Sequence, residues 1–99
     1  MTYEAAEQIS EVLKALAHPV RLQIVDVLED NELCVGQIME AVGGKQAITS
    51  QQLNMMRTKG VLASRRDANK VYYTVANPNV IQLLHCMHDH CDRIKDADG

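Results

Sequence analysis

The chain has few of the residues on which large aromatic cores and disulfide frameworks depend. Its 99 residues include no Phe, no Trp and three Tyr, so the core must consist of Leu, Val, Ile, Ala and Met side chains. The three Cys are an odd number, and the chain does not open with the basic stretch and apolar run of an export signal. No apolar run reaches the roughly 18 residues of a membrane helix. We therefore expect a single domain over residues 1–99, with reduced thiols, in the cytoplasm and without a membrane partner.

The net charge of −3 conceals a strong separation of charge along the chain. From Lys45 to Lys70 there are six basic residues against one acidic residue, Asp67, which gives +5, whereas the rest of the chain carries four basic and twelve acidic residues, or −8. A basic segment inside an acidic chain is typical of a nucleic-acid-binding surface.

Apolar spacing and chain breakers predict five helices and one β-hairpin. We expect helices over about 3–17, from Pro19 to the acidic stretch at Glu29, over 35–42, over 46–59 and over 78–94, and strands over 61–66 and 71–75 joined by a turn at 67–70. In the fourth helix Ile48, Leu53 and Met56 are expected to face inward. Two helices joined by Gly43-Gly44 and followed by a hairpin indicate a winged helix-turn-helix, mostly α with a β-hairpin wing, in the order α-α-α-α-β-β-α.

The fourth predicted helix carries amide and hydroxyl side chains and no acid, which is what base edges require. Basic residues at the hairpin tip suit phosphate or minor-groove contacts. The predicted DNA-binding residues are Gln46, Thr49, Ser50, Gln51, Gln52, Asn54 and Arg57 on the helix and Arg65, Arg66, Asn69 and Lys70 on the hairpin. A solvated polar helix beside an unrelated basic turn is the alternative, but such a face usually carries Glu-Lys pairs.

Four motifs occur in the order in which they stand in the ArsR/SmtB family of bacterial metal- and redox-responsive repressors. Residues 17–24 (AHPVRLQI) resemble the A-x-P-x-R-L-x-I/L motif, and residues 32–38 (ELCVGQI) resemble the E-L-C-V-G/C-D-L box. Residues 50–53 (SQQL), Arg57 and residues 60–62 (GVL) resemble the recognition-helix motif, and Arg66 with residues 71–73 (VYY) resembles the wing.

The resemblance covers roughly residues 12–91 and implies a homodimer whose terminal helices, about 3–17 and 78–94, form the interface. It also implies repression of a promoter through a double-stranded, inverted-repeat operator, relieved by a ligand or an oxidant. Ser50, Gln51 and Gln52 fall on the base-reading positions of the family.

Residues 85–91 (HCMHDHC) concentrate possible sensing groups on the last predicted helix. Helical spacing places His88 with Cys91 on one face and Cys86 with His90 on another, and Cys34 is a further candidate. The standard sites of the family are not preserved. Their matching positions hold Asn77, Asn79 and Arg93 in place of zinc ligands, Gly36 and Gln37 in the Cys box, and Asp26 in place of the second-helix thiol of redox sensors.

Three interpretations of this cluster therefore stay open, and no cofactor is certain. Cys86 or Cys91 reacts with a persulfide or an oxidant, or the cluster binds a metal or metalloid ion (zinc- or arsenic-like), or the protein is a constitutive regulator without an inducer site. A winged-helix protein-interaction module is the rival function. An enzyme is not expected, because the pair Cys86 and His90 lacks an oxyanion loop and a third orienting group.

Overall fold

The computed structural model describes the backbone of residues 1–98 and the side chains of residues 1–92. Its elements are α1 (Tyr3–Leu16), α2 (Pro19–Val27), β1 (Leu33–Cys34), α3 (Val35–Val42), α4 (Gln46–Thr58), β2 (Leu62–Asp67), β3 (Lys70–Val75) and α5 (Pro78–Asp98). The predicted winged helix-turn-helix is confirmed, with one strand more than expected and a longer last helix. No helix within the described residues is long and apolar enough to cross a membrane.

Short polar side chains fix the beginnings of three helices. The Thr2 hydroxyl accepts a hydrogen bond from the Ala5 amide at 3.1 Å, and the Asn77 carboxamide oxygen accepts one from the Asn79 amide at 2.9 Å. His18 begins α2 in the same way, because its Nδ1 accepts from the Val20 amide at 3.1 Å. These bonds satisfy amides that a helix start leaves unpaired, and they give His18 a structural role.

The core lies between α2, α3, α4 and the sheet. Its buried apolar side chains are Ala15, Leu16, Ile24, Val25, Leu28, Ile38, Leu53, Met56, Val61, Leu62, Tyr73 and Val80. Aliphatic side chains and Met therefore make up most of the core, as the composition predicts, but Tyr73 of β3 is also buried in it.

The link between α3 and α4 needs glycine at both of its first positions. Gly43 has a φ of +73°, a left-handed conformation that only glycine adopts without strain. A Cβ on Gly44 would lie 2.7 Å from the Thr49 hydroxyl oxygen, which is too close for two uncharged heavy atoms. The two glycines thus allow α4 to start close to the end of α3.

The sheet is antiparallel in the order β1-β3-β2. Asp67 pairs with Lys70, so the hairpin turn consists of Ala68 and Asn69, and Ala68 has a φ of +56°. Because β1 has only two residues, the alternation that identifies a strand in a sequence is absent from it. It pairs Leu33 with Tyr73 and thereby attaches the hairpin to the start of α3.

Candidate nucleic-acid interface

The buried face of α4 is displaced by one residue from its predicted position. Thr49, Leu53 and Met56 point into the core, whereas Ile48 is 54% exposed. The expectations that Thr49 belongs to the exposed polar face and that Ile48 faces inward are therefore wrong. The reason is helical geometry: 49, 53 and 56 follow i, i+4, i+7, whereas 48 and 53 are five residues apart and so about 140° apart around the axis.

The remaining polar residues of α4 divide into two groups. Gln46, Gln51, Asn54 and Arg57 are exposed, while Ser50 and Gln52 are half-buried. Arg57 donates from Nη2 to the Asn54 Oδ1 atom at 2.7 Å, one turn away near the end of the helix. The exposed face thus presents amides, a hydroxyl at its edge and a guanidinium, with no carboxylate within α4.

Gln52 is held by Arg21 of α2. The Arg21 Nε atom donates to the Gln52 Oε1 atom at 2.7 Å, and its Nη1 atom donates to the Lys14 carbonyl oxygen at 3.2 Å, near the end of α1. Gln52 was expected to read bases, but one of its two polar atoms is already bonded inside the protein. Through these two hydrogen bonds, Arg21 connects α2 to both α1 and α4.

The two arginines of β2 have different surroundings. Arg65 donates from Nε and Nη2 to the two carboxylate oxygens of Glu32 at 2.7 and 2.5 Å, and its guanidinium lies 4.9 Å from the centre of the Tyr72 ring. The hydrogen bonds from Arg65 lower the pKa of the Glu32 carboxyl, and the same bonds raise the pKa of Arg65. Arg65 therefore ties the wing to the segment before β1.

Arg66, Asn69 and Lys70 are exposed at the wing. Among the described side chains, Arg66 and Lys70 form no ion pair. Because successive residues of a strand point to opposite sides, Arg66 lies on the side of β2 away from the Arg65 side chain. The wing cations available to a ligand are therefore Arg66 and Lys70.

An ion pair connects α1 to the far end of α4. The Lys59 ammonium nitrogen lies 3.1 Å from the Oε2 atom of Glu11, and the Lys14 ammonium nitrogen lies 3.5 Å from its Oε1 atom. The hydrogen bond from Lys59, followed by the charges of Lys59 and Lys14, lowers the pKa of the Glu11 carboxyl. With the Arg21 bonds, α4 is attached to α1 at two places.

A groove of about 450 Å³ separates α2 from α5. It is lined by Leu22, Gln23, Asp26, Leu84, His85, Met87, His88 and Cys91. The His85 Nε2 atom lies 2.8 Å from a carboxylate oxygen of Glu29 beside this groove. His88 and Cys91 thus share one face of α5, whereas Cys86 and His90, both exposed, are not among the lining residues.

The donor atoms near the groove do not match a closed zinc site. Among the described residues, the histidine, cysteine and acidic groups whose ligand atoms lie within 4.8 Å of one another are His88, Asp89 and Asp92, all exposed. This set contains no thiolate, whereas structural zinc sites use four nitrogen and sulfur ligands. The expectation for Arg93 concerns a side chain outside the described range.

Cys34 lies in β1, where it pairs with Tyr72, and is half-buried. Its amide donates to the Gln37 Oε1 atom at 3.0 Å, so Gln37 supports the start of α3. Cys34 is also not among the groove residues. The structure therefore does not bring together the five predicted sensing residues.

Three functional partners were missed by sequence reasoning: Arg21, Glu32 and Glu11. Arg21 and Glu32 are themselves motif residues, but the motifs gave neither of them a role. No local spacing reveals their bonds, since Arg21 and Gln52 are 31 residues apart and Glu32 and Arg65 are 33 apart. The signal that was available was charge, because both acids lie outside the basic segment, and their partners Lys59 and Arg65 lie within it.

Known proteins share this sequence pattern and this fold. Residues 18–64 match the family described as bacterial regulatory protein, arsR family. An uncharacterized HTH-type transcriptional regulator of Mycobacterium tuberculosis is 40% identical over 76 residues, which cover 76% of this chain and 67% of that protein. The biofilm growth-associated repressor of Xylella fastidiosa is 32% identical over 93 residues, which cover 93% of this chain and 82% of that protein.

The structural similarity extends over nearly the whole chain. A homodimeric winged helix-turn-helix DNA-binding domain from Mycobacterium bovis, described as a possible ArsR-family transcriptional regulator, has a TM-score of 0.84 at 29% identity and covers 98% of this chain and 93% of that domain. The match includes the helix-turn-helix, the wing and both terminal helices. The chain belongs to the arsR family of bacterial regulatory proteins.

Proposed function

We propose that this protein is a homodimeric transcriptional repressor that reads an inverted-repeat operator with α4. The observation that carries the proposal is the exposed face of α4, which has amides and a guanidinium but no carboxylate, beside the available wing cations Arg66 and Lys70. Recognition helices place such side chains in the major groove, and basic wing residues bind phosphates.

The exposed residues of α4 and of the wing contact different parts of the DNA. Gln51 carries an amide that suits the paired donor and acceptor of adenine, whereas the Asn54 Oδ1 atom already accepts a hydrogen bond from Arg57. Gln46 and Ser50 lie in the N-terminal part of α4 that approaches the bases. Arg57 lies at the C-terminal end of the helix. Arg66, Asn69 and Lys70 bind the backbone, while Gln52 and Arg65 support the interface through their bonds within the protein.

Dimerisation is supported by apolar side chains that one copy leaves exposed on the terminal helices. Ile9 and Leu13 lie on α1, and Leu83 and Met87 lie on α5, with exposed fractions from 40% to 52%. Exposed apolar side chains on both terminal helices are typical of an interface. The Mycobacterium bovis domain is homodimeric. Two-fold symmetry then predicts two half-sites one helical turn apart.

The test of DNA reading is binding to a duplex selected in vitro from random sequence with the full chain. Gln51→Ala should weaken binding by about 5- to 150-fold per half-site, the loss expected for one bidentate base contact. Asn31→Ala is the matched control, since it removes an amide outside the basic segment whose Nδ2 atom donates to the Val27 carbonyl oxygen, and it should bind DNA normally. Equal binding by all three proteins would contradict the proposal, and the absence of any complex with DNA would favour an interaction module.

We further propose that a thiol-reactive species relieves repression at the groove between α2 and α5. Cys91 is an exposed thiol that lines this groove, with His88 and Asp26 beside it. The Cys91 thiolate attacks the outer sulfur of a small persulfide, the S–S bond breaks, and the rest of the persulfide leaves as a thiolate. The added sulfur then lies between the reading half of the molecule and the proposed dimer helix.

The inducer test compares Cys91→Ser with Cys86→Ser, which removes a thiol on another face of α5. A persulfide donor should release wild-type protein and Cys86→Ser from the selected duplex, with one sulfur atom added by intact mass, but should not release Cys91→Ser. Release by zinc or arsenite that needs His88 would instead favour an ion as the inducer. No release by any of these reagents would favour a constitutive regulator.

A further inference from the structure

Ile48 is an apolar side chain in an otherwise polar and basic part of the surface. It is 54% exposed. The other exposed large apolar residues among residues 1–92 lie at the N-terminus, on the terminal helices or beside the groove: Met1, Tyr3, Ile9, Leu13, Leu22, Leu83 and Met87. Ile48 stands apart from both the proposed dimer surface and the groove.

Ile48 lies far from the ion pair that joins α4 to α1. Ile48 is the third residue of α4, whereas the ion pair between α1 and α4 lies at Lys59, just past the other end of the helix. The Glu11–Lys59 ion pair therefore does not bring α1 close to Ile48. Its neighbour one turn along the helix is Gln51, about 60° away around the axis, so the two side chains share a face.

The geometry points to Ile48 as the residue that recognises the C5-methyl group of a thymine in each half-site. Of the groups on major-groove base edges, this methyl is the apolar one. The N-terminal residues of a recognition helix contact base edges, and Ile48 lies in that part of α4. The inference rests on the proposed function and makes it more specific: Gln51 reads an adenine, and Ile48 reads a thymine on a neighbouring base pair.

The test replaces each thymine of the selected duplex with deoxyuridine, which removes the methyl group and leaves base pairing intact. Burial of one such carbon contributes about 0.8 kcal/mol, so the contacted thymine should give about a fourfold loss of affinity per half-site and about fifteenfold when both half-sites are changed. Thymines that Ile48 does not touch are internal controls and should give no loss.

Variants at two positions identify the reading side chain. Ile48→Ala should bind thymine and deoxyuridine duplexes almost equally, while Ile48→Val should keep part of the discrimination. Gln51→Ala should bind more weakly overall but retain the full thymine preference. Since Ile48 is exposed, these changes leave the core intact.

Different results would refute the role of Ile48 and DNA reading by α4. If wild-type protein binds the selected duplex but no deoxyuridine weakens binding, or if Ile48→Ala discriminates as well as wild type does, the role of Ile48 is refuted and DNA reading by α4 stands. If no sequence is enriched in the selection and binding is indifferent to sequence, the proposed function and the role of Ile48 are both refuted.

Discussion

The two adjacent arginines of the wing should respond differently to the same substitution. Arg65 is bonded to both carboxylate oxygens of Glu32 and lies over Tyr72, whereas Arg66 is exposed and forms no ion pair within the described residues. Arg66→Gln should therefore remove a phosphate contact. Arg65→Gln should remove an internal tie, and because exposed ion pairs contribute little to stability, the chain should still fold.

The expected magnitude follows from counterion release. Each phosphate contact contributes about 0.9 to the slope of log K against log salt concentration, so two wings in a dimer contribute about 1.8. The affinity advantage of wild type over Arg66→Gln should then shrink about sevenfold between about 0.1 M and about 0.3 M salt. Arg65→Gln should keep the wild-type slope, even if looser anchoring of the wing lowers its affinity.

The assay is fluorescence anisotropy with a labelled duplex, measured at several salt concentrations for the three proteins. The useful quantity is the slope of log K against log salt concentration, because a loosened wing that keeps its phosphate contacts lowers the affinity without changing this slope. A decrease in slope for Arg65→Gln as large as that for Arg66→Gln would refute the reasoning, since it would mean that Arg65 binds phosphate.

The bonds within the protein give three further predictions. Arg21→Ala should lower the free energy of unfolding by about 2 kcal/mol, because two charge-assisted hydrogen bonds are lost. Urea unfolding at fixed protein concentration measures this, and an unchanged unfolding midpoint would contradict it. Ala68→Gly should raise the free energy of unfolding by about 0.5 kcal/mol, since relief of the left-handed strain at Ala68 exceeds the entropy cost of glycine. A lower unfolding temperature for this variant than for wild type would count against it. The lowered pKa of Glu11 means that the pair with Lys59 contributes to stability above the ordinary value of 4.5 and that this contribution is lost as the pH falls through the lowered pKa. Glu11→Gln should therefore flatten the acid limb of a stability–pH curve measured from pH 7 downward, and a curve parallel to that of wild type would argue against this assignment.

The order of elements could be predicted from the sequence because each has a local signal. Pro19 and Gly43 mark helix boundaries, and alternation marks the hairpin. The face of α4 was misplaced for an equally local reason. Ile48 was preferred over Thr49 because it is apolar, although the spacing to Leu53 favours position 49. Hydrophobicity and helical spacing disagreed there, and spacing was right.

The roles of the polar residues could be predicted only in part. Gln51 and Gln52 are adjacent amides with the same chemistry, and what separates them is the position of Arg21 in the folded chain. The same holds for Arg65 and Arg66, which differ through Glu32. A side chain that bonds to a residue some thirty positions away carries no local mark of that bond, so the sequence could not separate the residues that bond within the protein from those that stay exposed.

Arg21 also has a consequence for which operators the proposed dimer accepts. Its planar guanidinium bonds to the Lys14 carbonyl oxygen near the end of α1 and to Gln52 of α4 at the same time. A displacement of α1 at the dimer axis is therefore passed on to α4 and is not absorbed between them. We therefore expect the distance between the two α4 helices of the dimer to vary little, so a site with correct half-sites at the wrong separation should be bound more weakly.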